Sequence, residues 1–120
     1  MGETTLLGII GLTTCIGLYM GWQFLRGVRN RPMLVGIHLL LGLGSVEVLA
    51  VILRGAPNGA TVADRGGILL AAGLLVCALL SGLAVPLIAR PVPDAAGMSI
   101  ATHAGIGGVA FLALCYAVLG

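Results

Sequence analysis

Four long apolar runs, separated by short polar segments, constrain this chain more than any other feature. They extend from about Thr5 to Leu25, Met33 to Leu53, Gly67 to Ala89 and Gly97 to Leu119. Each is close to the roughly 20 residues that a helix needs to cross the hydrocarbon core of a bilayer. The segments between them, "RGVRNRP", "RGAPNGATVADRG" and "RPVPDAA", are rich in the Pro, Gly, Asn and Asp of turns. In lipid there is no water to satisfy backbone N–H and C=O groups, so each run is expected to be helical. Short connections place consecutive helices side by side and antiparallel. The expected fold is an all-α integral membrane protein, a four-transmembrane-helix antiparallel bundle forming one domain over residues 1–120.

Composition excludes the main alternative. The chain is 59% hydrophobic and 8% charged, against about 25% charged in soluble domains, too little to keep a globule in water. The net charge of +2 comes from six arginines and no lysine against four acids. That is no basic stripe, and nucleic acid is not an expected partner. Arginine-only, Ala- and Gly-rich usage suggests a GC-rich bacterial genome, hence the bacterial cytoplasmic (inner) membrane. The first run reads as a membrane helix rather than a signal peptide: no positive segment precedes it and it is too long. "LTTC" before Ile16 resembles a lipoprotein cleavage site but lacks the basic start. Cys15, Cys77 and Cys115 lie inside apolar runs, are odd in number and form no CxxC. They read as small hydrophobes rather than a disulfide framework or zinc site.

Orientation follows the arginines. Arg26, Arg29, Arg31 and Arg90 fall on one side of an antiparallel bundle, and Arg54, Arg65, Asp64 and Glu3 on the other. The positive-inside rule puts the first group in the cytoplasm and both termini outside. Trp22 and Phe24 then sit where an aromatic belt is expected.

Two of the runs each carry one histidine. Met33–His38 matches Met98–His103 at a separation of 65 positions, and "GLTTC" (Gly11–Cys15) matches "GLLVC" (Gly73–Cys77) at 62. These matches suggest two repeated helical hairpins. Each histidine follows the start of its helix by about six residues, or ~9 Å at 1.5 Å per residue, so the two imidazoles are expected at one depth on parallel helices. Imidazole is the commonest protein ligand for transition metals, and haem iron takes it axially. Two imidazoles at one depth suit a single six-coordinate b-type haem. Gly42 and Gly107, each four places after its histidine, and Ser45 and Ala110, each seven places after, would give a macrocycle room. Arg31, two turns before His38, is a candidate for a haem propionate or for lipid phosphates. The bland alternative is that each histidine hydrogen-bonds a neighbouring helix. Other ligands for the pair are a chlorophyll magnesium or a quinone oxygen.

On His38, His103 and their adjacent glycines, the pattern resembles the small b-type cytochrome membrane anchors of succinate dehydrogenase and hydrogenases. More loosely, it resembles the four-helix core of cytochrome b561-like proteins. The likeness covers the second and fourth runs. It implies haem b with His38 and His103 as axial ligands, electron exchange with quinone, and other membrane subunits as partners. Two-haem bundles of this type carry paired histidines on each ligand helix. This chain has two histidines in total, so a His pair can ligate one haem.

Glu47 is the one acid deep inside an apolar run. It lies nine residues beyond His38, half a turn away around the helix, and ~9 Å from the outer end. The expectations for it are a polar contact within the bundle (Thr13 and Thr14 are candidates), a contact to an arginine of another subunit, a proton relay or quinone-site acid, or an interfacial acid that reaches water. Three functions follow. One is a haem-carrying subunit of a larger energy-transducing oxidoreductase complex, not catalytic alone. Another is a cofactor-free accessory or assembly subunit of a respiratory, photosynthetic or oxygenase complex, packing through small-residue faces such as Gly17-x-x-x-Gly21. The third is a small dimeric transporter with Glu47 as its coupling acid.

Overall fold

The computed structural model describes residues 2–55 and 64–120, so the middle of the second connection lies outside the described residues. The chain forms helices α1 (Gly2–Leu25), α2 (Pro32–Arg54), α3 (Arg65–Ala89) and α4 (Ala96–Leu119), with one 3-10 turn over Pro93–Ala95. All four helices are long and apolar enough to cross a membrane. There is no strand among the described residues.

Local chemistry sets the helix ends. Gly27, at φ +69°, stops α1: its N–H bonds to the Phe24 carbonyl (2.9 Å) and the Val28 N–H to the Gln23 carbonyl (2.9 Å). This is the Schellman pattern, in which a left-handed glycine satisfies the last helical carbonyls. Asn30 then ties the connection back to the helix by donating from Nδ2 to the Met20 carbonyl at 3.1 Å. Pro32 opens α2 at the position where its fixed φ fits and its missing N–H costs nothing. Asp64 caps α3 by accepting the Gly67 N–H at 2.9 Å, which carries the helix start back to Arg65.

The helices pack in ring order: α1 on α2, α2 on α3, α3 on α4 and α4 on α1. The backbones of the diagonal pairs stay apart. Neighbours run antiparallel, with Gly2 near Ile52 and Gly17 near His38 in the first hairpin, and Gly67 near Ala117 and Gly82 near His103 in the second. The bundle measures 49 × 22 × 22 Å. Large side chains fill one end only. Leu6, Ile10, Leu49, Ile68, Ala71 and Leu114 form the buried cluster, drawn from the starts of α1 and α3 and the ends of α2 and α4. Toward the other end the interior narrows to small residues: Ser45, Ala78 and Ala110 are buried. Leucines cover much of the outside, among them Leu18, Leu40, Leu80 and Leu112.

The two hairpins correspond at a separation of 65 positions. Ser45 and Ala110, Leu49 and Leu114, and Leu6 and Ala71 are buried in both members of each pair. The match of Gly11–Cys15 to Gly73–Cys77 at 62 is therefore out of register by three residues. Leucine- and glycine-rich sequence produces such matches by chance, and burial decides between them. Cys15 and Cys77 are both exposed and do not occupy equivalent positions.

The ring arrangement predicts that, in a background free of native cysteines, Val28→Cys and Asp94→Cys react with a membrane-impermeant maleimide from one side of the bilayer. Arg54→Cys should react from the other. Labelling of positions 28 and 94 from opposite sides would contradict the packing order.

Candidate functional site

His38 and His103 meet across the bundle. They stand on α2 and α4, which are diagonal and parallel, and their ring centroids are 6.0 Å apart with planes at 83°. Each ring is held by the helix that precedes it in its own hairpin. His38 Nδ1 lies 3.0 Å from the carbonyl of Thr13 on α1. His103 Nδ1 lies 2.9 Å from the carbonyl of Ala78 on α3 and 3.3 Å from Ser81 Oγ. A carbonyl can only accept, so Nδ1 must carry the proton in both rings. The neutral imidazole then leaves Nε2 as a bare lone pair, free to bind an electrophile or metal. Ser81 Oγ itself donates to the Ala78 carbonyl at 2.9 Å, so this oxygen receives both the imidazole and the hydroxyl.

Glycine makes the two bonds geometrically available. In an α-helix the Thr13 carbonyl already accepts the N–H of residue 17, and the Ala78 carbonyl that of residue 82. A second donor must come in beside the side chain of that residue. Positions 17 and 82 are both glycine. A Cβ on Gly17 would stand 3.0 Å from His38 Cε1, and one on Gly82 would stand 2.8 Å from His103 Cε1. A larger residue at 82 would force the His103 ring to shift, and one at 17 would crowd His38 by a few tenths of an ångström.

The sequence singled out the histidines and the glycines after them, but not the acceptors. Gly17 appeared there as part of a helix-packing Gly-x-x-x-Gly. In the fold it receives an imidazole, whereas a Cβ on Gly21 would touch nothing within 4 Å. Gly82 was not singled out. The signal for both was present in the 65-residue separation, which maps Thr13 onto Ala78, Gly17 onto Gly82 and His38 onto His103.

Beyond the imidazoles, the interior stripes of α2 and α4 run in parallel: His38, Gly42, Ser45, Leu49 and His103, Gly107, Ala110, Leu114. Gly42 and Gly107 are half-buried, and a Cβ on either would meet no atom within 4 Å. There is room for a methyl group at either position one turn beyond the histidines. Among the described residues, no group of three or more His, Cys, Asp or Glu side chains is placed to hold a metal ion.

The other two residues singled out from sequence stand apart from this pair. Arg31 is exposed at the N-cap of α2, and it lines a cleft between α1 and α2 with Tyr19, Gln23 and Arg29. Glu47 is exposed on the outer surface of α2, so a contact inside the bundle is not formed. Thr13, offered as its partner, donates instead to the Ile9 carbonyl at 2.8 Å. The reason is helical geometry: with His38 facing inward, a residue half a turn around must face outward.

No protein-family model, curated protein or solved structure matches this chain.

The close approach at Gly82 generates a graded expectation. Gly82→Ala should displace the His103 ring and Gly17→Ala should disturb His38 less, while Gly42→Ala should leave both rings in place. Imidazole nitrogen NMR shifts of histidine-labelled protein report this: the Nδ1–H tautomer should be lost at position 103 in Gly82→Ala. An unchanged spectrum there would show that the ring is not seated on the glycine.

Proposed function

We propose that the protein is an integral membrane subunit that holds one b-type haem between His38 and His103 and serves electron transfer to or from quinone within a larger complex. The supporting observation is the histidine pair itself: two imidazoles 6.0 Å apart across the bundle, each with Nδ1 bound to a carbonyl and Nε2 left free. Imidazole–metal bonds of about 2.0 Å, drawn in line on both sides of an iron, put the ring centres about 6.4 Å apart. The observed spacing is within a few tenths of an ångström of that. Perpendicular ring planes suit axial ligation, since each ligand can turn about its own bond to iron.

The pair supplies two nitrogens, short of the four ligands of a tetrahedral metal site. A porphyrin brings four equatorial nitrogens of its own and asks the protein for axial ligands. Gly42 and Gly107 leave open the space that a flat macrocycle needs, and buried Ser45 and Ala110 keep the next layer thin. When bound, haem supplies reversible one-electron chemistry. The chain's own residues orient the two imidazoles through Thr13 and Ala78 and exclude water with the leucine core at one end. Carbonyl hydrogen bonds to Nδ1 also raise the basicity of the ligating nitrogens, one of the levers on a redox potential.

The membrane reading rests on four apolar helices and leucine-covered outer faces; the arginine asymmetry orients it with both termini outside, in a bacterial inner membrane. Glu47 supports association with other subunits. A charged side chain facing lipid costs on the order of 2.5–3.5 kcal/mol at the centre of a span and less toward its end, where Glu47 lies, and a polar group on a neighbouring helix would offset that cost. Glu47→Leu should therefore leave the isolated chain folded, with unchanged helix content, yet reduce co-purification of its partners in mild detergent. Undiminished recovery of the complex would remove Glu47 from the interface.

The haem is tested by a reduced-minus-oxidised spectrum of the purified protein, with haems of co-purifying subunits counted separately. Sharp b-type bands are expected. His38→Ala and His103→Ala should each abolish the six-coordinate spectrum, and Gly42→Leu should weaken haem retention. A wild-type chain that binds no haem would overturn the reading.

A further inference from the structure

The 65-residue correspondence reveals two equivalent clefts at the end of the bundle that holds the Arg26–Arg31 connection, and they differ in one respect. The cleft between α1 and α2, about 460 Å³, is lined by Arg29, Arg31, Tyr19, Gln23, Met33 and Leu34. The cleft between α3 and α4, about 360 Å³, is lined by Ala84, Ile88, Met98, Ser99 and others. Tyr19 maps onto Ala84, Gln23 onto Ile88, Met33 onto Met98 and Leu34 onto Ser99. Where the first hairpin has Arg29 and Arg31, the second has Asp94 and Ala96. The shape is shared, but the cations and long polar side chains belong to one copy.

We propose that the α1–α2 cleft binds the phosphate of one anionic phospholipid, whose acyl chains lie against the apolar outer face below it. Two guanidiniums in one cleft form bidentate, charge-assisted bonds to phosphate oxygens. Among the described residues neither arginine is paired with a carboxylate. Tyr19 and Gln23 add neutral donors from α1, one turn apart. The first turn of α2 borders the same cleft at Met33 and Leu34 and has no side-chain cap, so its positive dipole end adds to the attraction. Met33 and Leu34 give the glycerol and upper chain an apolar wall. Basic pockets between helices at a membrane surface are suited to anionic headgroups. The position is right for a lipid, since the helices end here and Trp22 and Phe24 are exposed beside it. The α3–α4 cleft has no arginine in its lining, and the hydroxyls of Ser81 and Ser99 already donate to the Ala78 and Ala95 carbonyls; it therefore offers the same group no cation.

The test is native mass spectrometry of the full chain in mild detergent with equal amounts of phosphatidylglycerol and phosphatidylcholine. Both carry the phosphodiester, but only the first has a net negative charge. The wild type should retain one phosphatidylglycerol in preference, by roughly thirtyfold, the order expected for two arginines at about 1 kcal/mol each. Arg29→Gln with Arg31→Gln should lose that preference, Arg29→Lys should keep most of it, and Asp94→Asn at the matched position of the second hairpin should not change it. Helix content and elution volume verify that each variant is folded. Equal retention of the two lipids by wild type would overturn the proposal. So would a double glutamine variant that keeps its preference, or one that loses bound haem while still selecting phosphatidylglycerol, which would assign the arginines to propionates. Because lipid retention is read separately from the visible spectrum, the proposal stands or fails independently of the haem.

Discussion

The interaction on which the site depends is the hydrogen bond from an imidazole Nδ1–H to a main-chain carbonyl of the preceding helix. It occurs twice, from His38 to Thr13 and from His103 to Ala78. In apolar surroundings an unpaired ring N–H would carry a desolvation cost of a few kcal/mol. Interhelical bonds in a bilayer contribute less than that, about 0.6 kcal/mol on average. Their consequence here is therefore chiefly geometric. Each bond ties α1 to α2 or α3 to α4 at a fixed height, selects one tautomer, and leaves the remaining nitrogen without a hydrogen.

The requirement for glycine follows from that bond. A ring from the neighbouring helix must pass the residue four places on from its acceptor, and the missing Cβ at Gly17 and Gly82 leaves it room to do so. The rest of the interior accommodates the same arrangement. Large side chains are gathered at the end bearing Leu6, Leu49, Ile68 and Leu114, where they fix the helix packing. The histidine end is built from Gly, Ala and Ser and stays open.

Much of the fold was legible in the residues because each signal was local. The apolar runs, the breaks at Gly27, Pro32 and Asp64, and the helical state of each run follow from propensity, turn chemistry and the demand that backbone groups in lipid bond to one another. The spacing of His38 and His103 after matching starts put them at one depth without any knowledge of packing. The outward direction of Glu47 was also present, as the half-turn separating it from His38. Of the contacts expected for it, the one inside the bundle is not formed, because that same half-turn carries the carboxylate to the outer face.

By itself the sequence determined four helices, their lengths, their antiparallel order and the shared depth of two imidazoles, since periodicity and connection length act along the chain. Tertiary structure decided which faces meet: that α2 and α4 stand diagonally, that the rings come within 6.0 Å, that Thr13 and Ala78 are the acceptors, and that the repeat runs in steps of 65 rather than 62. Those facts depend on the rotation of each helix about its axis. In sequences composed of Leu, Gly, Ala and Val, nearly every face is apolar, so hydrophobicity does not choose among them. The choice falls to steric fit, where a missing Cβ at Gly17 or Gly82 leaves room for a ring.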